Sequence, residues 1–120
     1  MQTNLLTFSL EGVAPRLDAP GERRLAGDPQ FRIWNLERAA DGRVASGVWE
    51  TTPGKWRSIY AGKWEFCTIV SGSLTITEDD QEPVVYRVGD SFVIRDGFQG
   101  TWEAEEITRK HYVVHLAAPA

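Results

Sequence analysis

The sequence predicts an antiparallel all-β sandwich or barrel, and three features carry that prediction. Short runs rich in aromatic and β-branched residues recur about every ten residues from Phe31 to Leu116. Glycine, proline and Asp-Gly turn signals separate them. No segment sustains the 3.6-residue apolar period of an amphipathic helix. With 120 residues there is room for one compact domain. Hydrophobic residues make up 42% of the chain, enough for a core, and five tryptophans call for a closed interior or an interface.

The elements follow in order. Residues 1–30 read as an irregular N-terminal arm. Leu6 to Leu10 alternates and reads as an arm-like strand, and Gly12, Pro15, Pro20, Gly21, Gly27 and Pro29 then deny any long helix. The barrel is expected over residues 31–116. Phe31–Trp34 alternates in hydrophobicity, Glu37–Ala40 has the composition of one helical turn, and Asp41-Gly42 stops it. Val44–Glu50 is the next run, broken by Pro53-Gly54 before Lys55–Tyr60. Glu65–Val70 and Ser73–Thr77 flank Ser71-Gly72 as a hairpin or a sharply bent strand. The polar turn Asp79–Pro83 leads to Val84–Tyr86, and Gly89-Asp90 to Phe92–Ile94. Thr101–Glu103 and Ile107–Leu116 close the series, leaving residues 117–120 as a tail expected to fray.

Charge narrows the function classes. A net charge of −4 and a pI near 5.1 lack the basic footprint of a nucleic-acid surface; Arg23-Arg24 and Arg109-Lys110 are ordinary surface pairs. No run approaches the roughly 20 apolar residues that span a bilayer. Met1–Phe8 has neither the basic region nor the apolar core of a signal peptide. The single cysteine, Cys67, cannot form an internal disulfide. The expectation is a cytoplasmic protein without nucleic-acid or membrane partners.

Two motifs sharpen the fold. Glu65, six residues and Gly72 resemble the end of the first cupin motif; Gly89, five residues and Arg95-Asp96-Gly97 resemble the second, with Arg95 where proline is usual. Gly47–Lys55, Glu65-Phe66-Cys67, Gly97–Trp102 and Arg109–Tyr112 are similar to the small cupins related to (S)-ureidoglycine aminohydrolase. The likeness covers residues 44–116. It implies a jelly-roll β-barrel and a homodimer, and its namesake uses manganese to release ammonia from ureidoglycine. The motif glutamate carries over to Glu65. The metal-binding histidines do not: Ser58 and Tyr60 (or Ile59 and Ala61) stand at the first pair and Gly100 at the third.

A catalytic divalent site needs about three protein ligands at about 2.0–2.3 Å. Only Glu65 is in place. His111 and His115 are the sole histidines, four apart on one strand and so roughly 13 Å apart along it. Glu65, Cys67 and one histidine could form a makeshift site, but no cofactor is expected. A buried Glu65 would then need a partner. Lys110 and Arg109 are the candidates, and Tyr112 shares a face with Lys110. Glu65, Lys110 and Tyr112 could do acid/base work or hold a ligand, or merely fix strand register.

Cys67 beside a carboxylate reads as a small core hydrophobe before a nucleophile. Trp49, Trp56 and Trp102 could line the barrel as an aromatic wall or pack as core. Gly97 and Gly100 read as turn glycines needing φ > 0, and Gly100 leaves a space for a ligand group or for Phe98 or Trp102. Three functions follow. The first is a metal-independent site for a small polar, nitrogenous metabolite, with Glu65, Lys110 and Tyr112 as polar groups and Trp49, Cys67 and Trp102 as contacts. The second is a non-catalytic dimeric module. The third is a metal-dependent hydrolase of aminohydrolase type.

Overall fold

A computed structural model describes residues 3–117. Eleven strands form two antiparallel sheets that pack face to face as a jelly roll. The first sheet is six-stranded, in the order β1 (Arg16–Asp18), β3 (Phe31–Ala39), β4 (Val44–Thr51), β11 (Thr108–Leu116), β6 (Lys63–Ser71) and β9 (Ser91–Ile94). The second is five-stranded: β2 (Arg24–Gly27), β5 (Gly54–Ile59), β10 (Gln99–Ala104), β7 (Ser73–Glu78) and β8 (Val84–Arg87). One 3₁₀ turn, Gly21–Arg23, links β1 to β2. Among the described residues no helix is long and apolar enough to cross a membrane.

The alternation of each strand sets what it contributes. On β11, Thr108, Lys110 and Tyr112 are buried, while His111 and His115 are exposed. On β6, Glu65, Cys67 and Ile69 are buried and Trp64 and Phe66 are not. The inward residues of both sheets form one core, in which Ile69, Leu74 and Cys67 are almost completely buried. Because the side-chain period is two, a slip of one residue between β6 and β11 would put Glu65 and Lys110 on opposite faces of the sheet. The observed pairing of Tyr112 with Cys67 and of Lys110 with Ile69 fixes them inside.

On the outer face of the six-stranded sheet, the Glu50 carboxylate ties three strands together. Oε1 accepts from Arg32 at 2.6 and 2.9 Å, and Oε2 from Arg109 at 2.8 and 3.1 Å. Each guanidinium carbon lies 5.0 Å from the ring of Trp34, which is thereby buried. Burial would raise the Glu50 carboxyl, but the hydrogen bonds and charges of the two arginines outweigh it and hold it below its ordinary value.

The structure departs from the expectations in several places. The sheets start before Phe31: β1 pairs with β3 and β2 with β5, so of the described residues only 3–15 precede the first strand. Leu6–Leu10 forms no strand and pairs with neither sheet; Phe8 lies edge-on to His111 at 5.2 Å. Glu37–Ala39 continues β3 in place of a helical turn, paired with Ser46, Ala45 and Val44. One isolated turn cannot compete with a full ladder. Of the tail expected to fray, Ala117 is held by a 2.8 Å hydrogen bond to the Gly62 carbonyl, and residues 118–120 lie outside the described residues.

Gly97 has the left-handed backbone expected of it, with φ at 98°. Gly100 does not, and no space is left beside it. A Cβ there would collide with the Thr77 carbonyl and meet the Phe98 ring at 2.8 Å. It is a close-approach glycine between β10 and β7. Gly100→Ala is therefore expected to cost about 1–3 kcal/mol, read as a lower urea midpoint at unchanged slope.

Candidate functional site

A cavity of about 610 Å³ opens between the two sheets. Trp49 on β4, Trp56 on β5 and Trp102 on β10 line it as aromatic wall; Trp56 and Trp102 are cross-strand partners with ring centroids 6.3 Å apart. Glu65, Lys110, Tyr60, Tyr112 and Ser58 supply its polar lining. A volume of this size suits a small molecule held by a few converging polar groups.

Lys110 is the centre of the polar cluster. Its ammonium donates to Glu65 Oε2 at 2.8 Å and to Cys67 Sγ at 3.3 Å. The same Nζ lies 4.4 Å from the Trp102 ring centroid and 4.8 Å from that of Trp49. Side-chain exposure is 3% for Lys110 and 6% for Glu65, so this is a buried ion pair. Glu65 Oε1 accepts a short hydrogen bond from the Tyr60 hydroxyl. Tyr60 follows β5 and is held by two backbone bonds: its N–H donates to the Phe98 carbonyl at 2.8 Å, and its carbonyl accepts from Gly97 at 2.7 Å.

The charges follow from these contacts. Burial would raise the Glu65 carboxyl, but the Lys110 charge and hydrogen bond, with the Tyr60 bond, hold it below its ordinary value. Burial would lower the Lys110 ammonium; Cys67 and Glu65 more than offset it, and the group stays above its ordinary value. At neutral pH the counter-charge is that of Glu65, because Cys67 is a neutral thiol there: burial pushes it up to about 12 despite the opposing pull of Lys110. Burial and then the Glu65 charge raise Tyr60 strongly, so it remains a phenol donor. Burial and Glu65 raise Tyr112 as well.

Of the residues singled out from the sequence, Glu65, Lys110, Cys67, Trp49 and Trp102 meet in this one cluster. Tyr112 lines the cavity but makes no hydrogen bond to Glu65; the phenol on that carboxylate is Tyr60. The residues therefore form a carboxylate–ammonium–phenol set that can hold a polar ligand or relay a proton. Cys67 is fully buried with a raised pKa, the opposite of a nucleophile's environment. Ellman's reagent is expected to label it on the order of a thousandfold more slowly in the native protein than in urea, through opening of the fold.

A divalent metal of the kind the fold motif implies does not fit these residues. The Lys110 ammonium and the Tyr60 hydroxyl already occupy the two oxygens of Glu65. His111 and His115 are exposed on β11, whose inward positions are Lys110 and Tyr112, and His111 packs against Phe8. Among the described residues no group of three His, Cys, Asp or Glu side chains could hold a metal ion.

A sequence model described as the EutQ-like cupin domain matches residues 38–112. The chain belongs to the EutQ-like cupin family. Among solved structures, this cupin is similar to a protein with unknown function from Pseudomonas syringae pv. tomato, at 23% identity and a TM-score of 0.77. That match covers 88% of this chain but only 45% of the other, so the cupin spans less than half of that protein's length. It is also similar to the Clostridium difficile EutQ protein (18% identity, 85% and 82% of the two chains, TM-score 0.64). A Thermotoga maritima protein described as a predicted oxalate decarboxylase matches at 14% identity over 92% and 99% of the two chains, with a TM-score of 0.72. These likenesses show a shared fold. A comparison with curated proteins finds no match.

Two groups of lining residues were not read from the sequence. Tyr60 stands, in one of the two spacings of the first motif, where a cupin histidine is usual. Arg16, Arg23, Arg38 and Lys63 also line the cavity, and they come from four separate segments with no shared pattern.

Proposed function

We propose that this cupin binds a small polar, nitrogenous metabolite in the barrel, or performs mild acid/base chemistry on it, without the usual metal site. The observation that carries the reading is the Lys110–Glu65–Tyr60 cluster lining a 610 Å³ cavity with tryptophans on its walls. Charged side chains are rarely buried this fully for packing alone, and perturbed ionisable groups in a cavity are candidates for function. The test is native mass spectrometry with elemental analysis on gently purified protein, followed by calorimetry with small amides, amines and carboxylates. A metal-free protein carrying an adduct, or binding one of these classes, is the expected result. Protein that stays empty and binds none of them would overturn it.

A non-catalytic dimeric module is the second reading. It is favoured by Trp64, Phe66 and Val93, all more than a third exposed on the neighbouring strands β6 and β9. A cavity left open by the barrel's own aromatics weighs against a purely structural role. A homodimer is proposed under either reading, and a monomer in native mass spectrometry would refute it. Metal-dependent aminohydrolase chemistry is the weakest reading, given the ligand set; stoichiometric manganese, iron, nickel or zinc in protein prepared without chelator would restore it.

A further inference from the structure

We infer that the ligand of this cavity is a small organic carboxylate, an inference that rests on the ligand-binding reading above. The chain as a whole is acidic, with a net charge of −4. Its cavity is the reverse: Arg16, Arg23, Arg38, Lys63 and Lys110 line it against only Asp18 and Glu65. Both carboxylates are already matched, Asp18 by Arg16 at 3.6 Å and Glu65 by Lys110 at 2.8 Å. The side-chain cations of Arg23, Arg38 and Lys63 make no salt bridge among the described residues, the Glu37 carboxylate beside Arg38 being bonded to its backbone N–H. Arg23 is tied to the Arg57 carbonyl and Lys63 lies 4.7 Å from the Tyr60 ring centroid, contacts that place the cations without neutralising them. By contrast, a second hollow, of about 740 Å³, carries Glu78, Glu82 and Asp96 against Arg95 alone. A concave surface of one sign concentrates counter-ions.

An independent observation comes from inside. Trp102 is 2% exposed, and its indole N–H has no hydrogen-bond partner, the one such buried side-chain group among the described residues. A buried donor without an acceptor is costly and calls for one. The Lys110 ammonium, 4.4 Å from the same ring, has three N–H groups and gives two of them to Glu65 and Cys67. What is missing is an acceptor with lone pairs to spare, and a carboxylate is the acceptor-only group that also answers the rim charge. Trp49, Trp56 and Trp102 give its apolar or planar body a wall to lie on.

Benzoate and benzamide separate charge from shape. Calorimetry on the full chain at low salt is expected to show benzoate binding about tenfold or more tightly than benzamide, with the difference shrinking as salt is added. The double variant Arg38→Gln/Lys63→Gln is expected to weaken benzoate about tenfold and to leave benzamide and the thermal midpoint unchanged. Lys63→Gln alone serves as a milder variant with the same direction. Equal affinities, or benzoate binding untouched by both variants, would overturn the carboxylate and leave the ligand site standing. Failure of benzoate, phthalate, citrate and benzamide alike would overturn this inference and the ligand-binding reading together.

Discussion

Lys110→Met is expected to destabilise this cupin by about 3–5 kcal/mol, because it removes one partner of a buried ion pair and leaves the other charge in place. Glu65 would keep its bond from Tyr60 but lose the cation 2.8 Å away. With no matching charge, burial dominates and the carboxyl's folded-state pKa rises. A raised carboxyl keeps its proton in the folded chain where the unfolded chain has released it, so stability falls as pH rises. The variant should therefore be more stable at pH 5 than at pH 7.5, whereas the parent, with Glu65 held low, should not. The double variant Glu65→Leu/Lys110→Met should recover part of the loss, since apolar groups replace both charges while the buried Tyr60 hydroxyl is left without its acceptor. Urea titration of the parent, Lys110→Met, Glu65→Leu and the double variant at both pH values closes the cycle. A single variant within about 1 kcal/mol of the parent, with no pH reversal, would mean that the pair contributes nothing.

How the pair could be anticipated shows where sequence legibility stops. Period-two alternation puts Glu65 with Cys67, and Lys110 with Tyr112, on common faces, and the motif likeness places Glu65 inside. Which phenol reaches that carboxylate is a different matter. Tyr60 lies just past β5, and its position depends on backbone bonds to Gly97 and Phe98, more than thirty residues away. The motif position of Tyr60 hints at an inward side chain, but the contact itself is set by those distant residues. Strands β1 and β2 were hidden for a related reason. They are three and four residues long and exposed throughout, so they carry no alternation; their partners on β3 and β5 define them. The cations of the cavity rim come partly from that region and were illegible with it. Gly100 could be recognised as required, but its reason is a neighbouring carbonyl that no turn propensity reveals.

The alkaline limb of stability should begin near pH 9, and Cys67 should be its first cause. In the unfolded chain the thiol ionises near 9.0, while the folded protein keeps it protonated up to about 12. Between those values the native state binds the extra proton, so stability falls as pH rises, by about 1.4 kcal/mol per pH unit for one group. Tyr60 and Tyr112, raised above 10.0, add to the fall from there. Lys110, raised above 10.5, contributes fully below that value and is lost as pH climbs through its folded pKa. On the acid side, Glu65 and Glu50 are both depressed below 4.5, so their contribution is present above that pH and is lost as pH falls beneath it. The plateau should thus run from about 5 to about 9. Cys67→Ala removes the earliest alkaline titration at the cost of a small cavity, and should move the onset to about pH 10 while leaving the acid limb in place. Urea midpoints across pH 4–11 distinguish the cases, and superimposable alkaline limbs would assign the loss to the tyrosines and Lys110 in place of the thiol. A shift of the onset would show that the cluster's thiol is held neutral by burial against the pull of the ammonium 3.3 Å away. That balance is what leaves Lys110 with one charged partner, Glu65, and an N–H to offer a ligand.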